Sequence, residues 1–139
     1  MTHQLFFKNS SRSFFYERKE GNMNIIDIGT NQMIINDKIK NFRNTIHQVC
    51  MTDSFVIVLY FDPGVDTDMN NICAYDFNGE LLWRIEDQKS FLPPEATEQP
   101  YVGMHSRPDD RILVNDWMGR SYLVDILTGK ILYRGETTR

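Results

Sequence analysis

The chain has 139 residues, of which 41 % are hydrophobic, so it is long enough for one domain with its own core. Its net charge of −4 and its scattered basic residues argue against nucleic acid as a partner, because binding to phosphates needs clustered Lys and Arg. No apolar run approaches the roughly 18 residues that span a bilayer. Because the N-terminus also lacks the pattern of a secretory signal, we expect a cytoplasmic protein without a membrane partner.

The first predicted repeat covers residues 4–37. Two strand patterns occupy 4–8 (QLFFK) and 13–17 (SFFYE), and two more flank a turn within 24–35 (NIIDIGTNQMII). The polar segment 37–44 that follows is compatible with one turn of helix. Four consecutive strands joined by short turns predict an antiparallel meander.

The second predicted repeat covers residues 44–87. Strand patterns occupy 45–51 (TIHQVCM) and 55–61 (FVIVLYF), and a strand, a turn and a strand follow within 73–83 (CAYDFNGELLW). The segment 55–61 is apolar at every position instead of alternating. A strand of this kind is buried on both faces, which predicts a sheet that lies between two others.

The third predicted repeat covers residues 101–137. A proline-containing segment, 87–100, precedes it and is predicted to be a surface excursion. Strand patterns then occupy 101–105 (YVGMH) and 111–116 (RILVND), and a strand pair flanks a turn within 122–133 (YLVDILTGKILY).

An aspartate occurs at the same place in each repeat. Asp27, Asp76 and Asp125 are 49 residues apart in both intervals, and each lies just before the turn of its strand pair. We interpret each carboxylate as an acceptor for turn amides of its own hairpin. The constant spacing indicates that one structural module is copied three times along the chain.

Each repeat also has a corner residue suited to the left-handed backbone region and, four residues later, a large side chain. The corner residues are Asn31, Gly79 and Gly129, and the large side chains are Ile35, Trp83 and Tyr133. Asn78-Gly79 is the strongest two-residue hairpin signal and predicts a type I′ turn. A large group at a fixed distance from each corner predicts a recurring packing slot.

The segment 72–86 (ICAYDFNGELLWRIE) resembles the repeat of quinoprotein-type, PQQ-like β-propellers. That repeat has a V-Y-A-L-D strand, a turn and a Gly-(Lys/Glu)-x-x-Trp strand. The segment 122–136 matches the Asp and the Thr-Gly-Lys corner, with Tyr133 at the tryptophan position, while 24–35 keeps only the Asp and the turn. The resemblance implies a fold in which the tryptophan packs between neighbouring blades. It implies no cofactor, because no quinone-binding or catalytic residue maps onto this chain.

The predicted fold is therefore a single all-β domain over residues 1–139, built from three four-stranded antiparallel meanders in a propeller-like arrangement. Closed propellers have four to eight blades, so three blades need another solution. Two chains forming a six-bladed homodimer, a small barrel-like cluster, and an open arc covered by another protein are the alternatives. Exposed apolar sheet faces favour self-association.

Two sequence features suggest a metal or an acid–base site, each with a simpler explanation. Asp66-x-Asp68-x-Asn70 has the opening spacing of a calcium loop but lacks the later glycine and glutamate, so we interpret it as an acidic turn. His105 precedes Asp109 and Asp110, which predicts a histidine that packs against its own turn. We predict no catalytic residue, metal ligand or cofactor from these patterns.

The two cysteines, Cys50 and Cys73, both lie in apolar strand patterns. They are able to pair in principle, but in the cytoplasm we expect free, buried thiols.

A possible binding surface lies in the segment 115–122 (NDWMGRSY). Trp117 and Arg120 flank a Met-Gly turn there, and aromatic and arginine side chains are enriched in binding hot spots. A hairpin whose tryptophan packs on its neighbour is the alternative interpretation. We include His105 with these two residues as a possible partner contact.

The function that these features favour is non-catalytic binding of another protein or of a second copy of the chain. A toxin-neutralising protein of the bacterial immunity type is one alternative. A small hydrolase or lyase, with residues from separate blades gathered at the axial mouth, is another.

Overall fold

The computed structural model describes residues 3–6, 12–17 and 23–136. These residues form thirteen β-strands and one turn of 3-10 helix over Lys89–Phe91, so the predicted all-β class is confirmed. No helix in this described part is long and apolar enough to span a membrane. In chain order the strands are β1 (His3–Phe6), β2 (Arg12–Glu17), β3 (Met23–Ile28), β4 (Gln32–Ile35), β5 (Lys38–Asn41), β6 (Ile46–Met51), β7 (Val56–Tyr60), β8 (Ile72–Tyr75), β9 (Leu81–Arg84), β10 (Tyr101–Arg107), β11 (Arg111–Asp116), β12 (Arg120–Asp125) and β13 (Ile131–Glu136).

The strands pair antiparallel in three sheets. The first sheet has the order β2-β3-β4-β5, the second β1-β6-β7-β8-β9 and the third β10-β11-β12-β13. One hydrophobic cluster joins the first sheet to the second, and another joins the second to the third. The sheets are therefore packed in chain order, with the second sheet in the middle. We call the side of each sheet that points toward the next sheet its forward face and the opposite side its backward face.

Strand β7 shows why the second sheet lies in the middle. All five of its residues are buried, as the unbroken apolar pattern predicts. Val56 and Val58 belong to the cluster shared with the first sheet, whereas Ile57 and Leu59 belong to the cluster shared with the third. Since successive strand residues point to opposite faces, the strand supplies core on both sides. This confirms the sequence interpretation of 55–61 as a strand between two other sheets.

The sequence analysis placed the first strand in the first sheet, and this prediction is wrong. Strand β1 pairs with β6, with Leu5 opposite Val49, and adds a fifth strand to the second sheet. Strand β6 is almost wholly buried, so its outer row of backbone N–H and C=O groups needs partners that water cannot supply. Pairing with β1 provides these hydrogen bonds.

The segment predicted as a helical turn forms a strand instead. Lys38–Asn41 is β5, and it pairs with β4 through a two-residue turn, with Ile35 opposite Lys38. Both turn residues, Asn36 and Asp37, have positive φ values, 44° and 76°. These are the conditions of a type I′ turn, and Asn and Asp adopt them more readily than other non-glycine residues. The Asn-Asp pair was therefore the signal for this hairpin.

Two of the three predicted corners have a left-handed residue. Gly79 (φ 82°) and Gly129 (φ 77°) adopt this conformation, but Asn31 and Asn78 do not. The second-sheet corner is therefore not the type I′ turn that Asn78-Gly79 predicted. The Gly79 N–H donates to the Asp76 carbonyl oxygen at 3.1 Å, which closes a turn that ends on the left-handed glycine.

The equal spacing of the three aspartates does not correspond to three equivalent positions. In the second sheet, Asp76 lies two residues beyond Ala74, the strand partner of Trp83. In the third sheet, Asp125 likewise lies two residues beyond Leu123, the strand partner of Tyr133. In the first sheet the equivalent pair is Ile26 and Ile35, and Asp27 lies only one residue beyond Ile26. A one-residue offset in a strand reverses the face, so Asp27 lies on the backward face, opposite Ile34.

Neighbouring sheets dock through one recurring contact. The Trp83 indole N–H in the second sheet donates to the Ile126 carbonyl oxygen of the third sheet at 2.7 Å. The Asn36 side-chain N–H in the first sheet donates to the Phe77 carbonyl oxygen of the second at 3.0 Å. Phe77 and Ile126 each follow the corner aspartate of their sheet. The first and second sheets are thus each anchored to the same backbone position of the sheet that follows.

Candidate functional site

An exposed aromatic surface lies around Trp117, at the end of the second and third sheets. A groove of about 260 Å³ opens there between the end of β7, the loop that follows it, the start of β10 and the β11–β12 turn. We call it the Trp117 groove. Its lining residues are Phe61, Asp62, Gly64, Val65, Gln99, Pro100 and Trp117.

The β11–β12 turn holds Trp117 in an exposed position. Its backbone N–H donates to the Pro100 carbonyl oxygen at 3.0 Å, which fixes the turn against the start of β10. The indole ring contacts Phe61 with the ring centroids 5.6 Å apart and the planes tilted by 39°. Despite this contact Trp117 remains 54 % exposed. The structure therefore combines both sequence interpretations, because one side of the ring packs on a neighbour and the other side is open.

Arg120 is part of the turn's internal structure. Its Nε donates to Asp116 Oδ2 at 2.8 Å, and its Nη2 donates to the Thr97 carbonyl oxygen at 2.8 Å. The Asp116 side chain is fully buried and also accepts the Tyr122 hydroxyl at 3.0 Å. Asp116 Oδ1 accepts the backbone N–H groups of Met118 and Arg120, each at 3.0 Å. These bonds leave Arg120 little freedom to contact a partner.

His105 lies away from the Trp117 groove. It is exposed on β10, where it pairs with Leu113 on the forward face of the third sheet. Trp117 is bonded at the opposite end of β10, next to Tyr101. Of the three possible partner contacts, only Trp117 therefore lines the groove.

A carboxylate gives the groove its charge. Asp62 Oδ2 accepts the Thr45 backbone N–H at 3.0 Å. Hydrogen bonding from Thr45 lowers the pKa of Asp62, and the nearby His47 adds to this effect. A lowered pKa means that Asp62 is ionised at neutral pH. The groove thus offers an aromatic wall beside a negative charge.

One arginine partly neutralises the acidic loop after β7. Arg43 donates to Asp66 at 2.8 Å and to Asp68 at 2.6 Å, and Asn70 donates to the Ile85 carbonyl oxygen at 3.1 Å. No group of three or more potential metal-ligating side chains occurs among the residues that the structure describes. The two carboxylates of the calcium-like spacing are paired with a cation of the chain itself.

A second polar cluster lies nearby, at the end of the second sheet. Arg84 Nη1 donates to the Tyr60 hydroxyl oxygen at 2.6 Å, and that hydroxyl donates to Asp68 at 2.8 Å. Burial, followed by the bond to Asp68, raises the pKa of Tyr60, so the phenol keeps its proton at neutral pH. A cavity of about 410 Å³, lined in part by Arg84, Asp68 and Glu98, adjoins the cluster. In this arrangement Tyr60 is a fixed donor and not a base.

The 87–100 excursion is closed at its base. Gln88 is buried, and its side-chain N–H donates to the Gln99 carbonyl oxygen at 2.6 Å. Within the excursion the carboxyl groups of Asp87 and Glu98 share a hydrogen bond, which raises the pKa of Glu98 and lowers that of Asp87. A broad cavity of about 640 Å³ lies over the excursion itself, lined by Lys89 and 92–98.

The cysteines are free and point to opposite faces of the second sheet. Cys50 belongs to the cluster shared with the third sheet and Cys73 to the cluster shared with the first. Burial raises the pKa of the Cys50 thiol to about 12 and that of Cys73 to about 11. Thiols with such pKa values are weak nucleophiles at neutral pH, and their positions prevent a disulfide between them.

The repeat positions differ in how far they are covered. The packing slot holds Ile35 (0 % exposed) and Trp83 (8 % exposed), but Tyr133 is 63 % exposed because, among the described residues, no sheet packs on that face of the third. At the corners, Asp76 Oδ1 accepts the Asn78 and Glu80 N–H groups, and Asp125 Oδ1 accepts the Leu127 N–H at 2.9 Å. These two aspartates bond amides of their own hairpins.

Sequence patterns did not identify the full groove. Phe61 and Val65 lie 56 and 52 residues before Trp117, and no local motif links them. The available signal was Asp62-Pro63-Gly64, which predicts a turn where the chain leaves β7.

Two comparisons with known proteins bear on the chain. No curated protein matches it. A family model described as "Domain of unknown function (DUF7957)" matches residues 23–136, from the start of β3 to the end of β13. Because this match covers well over half of the sequence, the chain belongs to the DUF7957 family.

Proposed function

We propose that this protein is a non-catalytic protein-binding module and that the Trp117 groove is its recognition site. The observation that carries the proposal is the half-exposed Trp117 ring, held in place by the Phe61 contact and by its backbone bond to Pro100. Held in this way, the ring loses little conformational entropy when a partner covers it.

The energetic argument concerns the open side of the ring. A tryptophan side chain buries up to about 250 Å², and about half of this area is still exposed at Trp117. At about 25 cal/mol per Å², covering it contributes about 3 kcal/mol to binding. This is the size of a hot-spot contribution at a protein interface.

The chemistry of the groove suggests the partner segment. Trp117, Phe61 and Val65 form an apolar surface, and Asp62 provides a negative charge beside it. An apolar or proline side chain followed by Lys or Arg would complement both features, with the cation near Asp62 and also able to stack on the indole ring.

We further propose a propeller-like arrangement of the three sheets and self-association through their uncovered ends. Their packing in chain order and the recurring bond to the residue after the corner aspartate support the first part. We propose the cytoplasm as the compartment, because both cysteines are buried free thiols.

Selection of a displayed peptide library against the purified full-length protein tests the groove. We expect enrichment of peptides with an apolar residue next to a basic one, and loss of their binding to Trp117→Ala. Leu81→Ala is the matched control, because Leu81 is similarly exposed (52 %) but lies on β9, outside the groove. Peptides that bind wild type and Trp117→Ala equally would place recognition elsewhere.

A further inference from the structure

We propose that a second copy of this chain covers the forward face of the third sheet with the backward face of its own first sheet. Two chains joined in this way at both ends would close a ring of six sheets. The inference rests on the propeller-like arrangement proposed above but not on the Trp117 groove. It follows from the way in which the chain already packs one sheet on the next.

The forward face of the second sheet defines what a covered face contains. Strand pairing places one residue from each of four neighbouring strands in a single row across it. All four are buried in the cluster shared with the third sheet. The row is Cys50, Ile57, Ala74 and Trp83.

The third sheet carries the equivalent row on its forward face. The residues pair in the same way, from β10 through β11 and β12 to β13. The row is His105, Leu113, Leu123 and Tyr133. Leu113 and Leu123 are only partly buried, and His105 and Tyr133 are exposed. The packing slot that Trp83 fills between two sheets is therefore present but uncovered at Tyr133.

A face suited to cover this row lies at the other end of the stack. The backward face of the first sheet carries Ile25 (43 % exposed), Ile34 and Ile39 (57 % exposed). Ile34 and Ile39 are directly paired across β4 and β5. The second sheet lies between the two uncovered faces, so one chain cannot bring them together, whereas two chains can pair both.

The area available is sufficient for a dimer that closes at two contacts. The first sheet limits the contact, because β4 and β5 have only four residues each and β2 and β3 have six. Four strands about 4.8 Å apart, with a mean length of about five residues at 3.3 Å per residue, give a face of roughly 14 by 17 Å. Two such contacts bury roughly 1,000 Å² in total over both partners, the size of a weak, reversible interface.

Sedimentation velocity on the full-length protein tests the proposal. We expect a species of twice the 16.4 kDa chain mass that dissociates on dilution. Tyr133→Lys and Ile39→Lys, one on each proposed face, should each lower the dimer fraction at least tenfold at a concentration where wild type is dimeric. Met118→Lys is the matched control, because Met118 is 65 % exposed in the β11–β12 turn, and it should remain dimeric.

Circular dichroism and thermal melting establish that each variant is folded. A wild-type protein that stays monomeric at every concentration would overturn the proposal. A dimer that Tyr133→Lys dissociates but Ile39→Lys does not would also overturn it, because two forward faces would then pair with each other. Neither result changes the peptide selection at the Trp117 groove, so the two proposals fail separately.

Discussion

The Trp83 ring lies directly over Gly129, so closely that a side chain at that corner would clash with the ring. A Cβ atom built on Gly129 would lie 2.5 Å from two atoms of the indole ring. The same ring donates its N–H to the Ile126 carbonyl oxygen at 2.7 Å. One side chain of the second sheet thus contacts the third-sheet corner through both a packing contact and a hydrogen bond.

We predict that Gly129→Ala lowers the free energy of unfolding by about 3 kcal/mol. About 1 kcal/mol comes from placing Ala in the left-handed region, and roughly 2 kcal/mol comes from overpacking against the rigid indole ring. Chemical denaturation of the purified variants measures the change.

Gly64→Ala is the matched control for backbone strain. Gly64 has a similar φ of 72°, but a Cβ there would meet no atom within 4 Å. We expect a loss of about 1 kcal/mol from the left-handed conformation alone. Equal losses in the two variants would show that the Trp83 ring does not pack on Gly129.

A second prediction concerns the buried ion pair of the β11–β12 turn. Asp116→Ala removes the acceptor of four hydrogen bonds and leaves the Arg120 guanidinium, whose side chain is 11 % exposed, without its counter-charge. We expect a loss of about 3 to 5 kcal/mol in unfolding free energy. Asp76→Ala, at an exposed corner with two similar turn bonds, should cost only about 1 kcal/mol. If both variants lost the same stability, burial of Asp116 would not be the cause.

A third prediction concerns the thiols. Cys50 and Cys73 should react with a thiol reagent only after unfolding, because both side chains are fully buried. The measurement is the number of thiols modified in native buffer and in denaturant. Rapid modification of either thiol in native buffer would contradict the buried positions.

The same thiols make stability depend on pH. Their pKa values rise from 9.0 in the exposed state to about 12 and about 11 in the folded protein. As pH rises, the thiols ionise at a lower pH in the unfolded chain than in the folded protein, and this ionisation stabilises the unfolded chain. The contribution of the buried thiols to the free energy of unfolding is therefore full below pH 9 and falls as pH rises toward 11. Cys50→Ala should make this fall shallower in denaturation experiments between these pH values, whereas an unchanged slope would contradict the burial argument.

Local patterns predicted most strands because hydrophobic alternation and turn residues are properties of neighbouring residues. The 111–116 pattern, for example, coincides with β11. The partner of a strand is a non-local property, however. Nothing within 4–8 indicates that β1 pairs with β6, some 45 residues later, because that choice depends on which sheet edge is left uncovered.

The candidate site was only partly predictable for the same reason. Trp117 was identifiable from its turn, but its exposure depends on where Phe61 and Pro100 lie in space. Arg120 looked equally available in the sequence and is in fact bonded to a buried carboxylate. The equal 49-residue intervals between Asp27, Asp76 and Asp125 also suggested equivalent positions. Strand pairing shows that Asp27 is offset by one residue from the other two.

Hydrogen exchange of the two tryptophan indole N–H groups tests the account most directly. Trp83 is buried between sheets and bonded to Ile126, whereas Trp117 is 54 % exposed. In NMR spectra assigned with Trp117→Phe, we expect the Trp83 indole N–H to persist in deuterated buffer long after the Trp117 signal has disappeared. Rapid exchange of both signals would show that the second and third sheets do not pack as described.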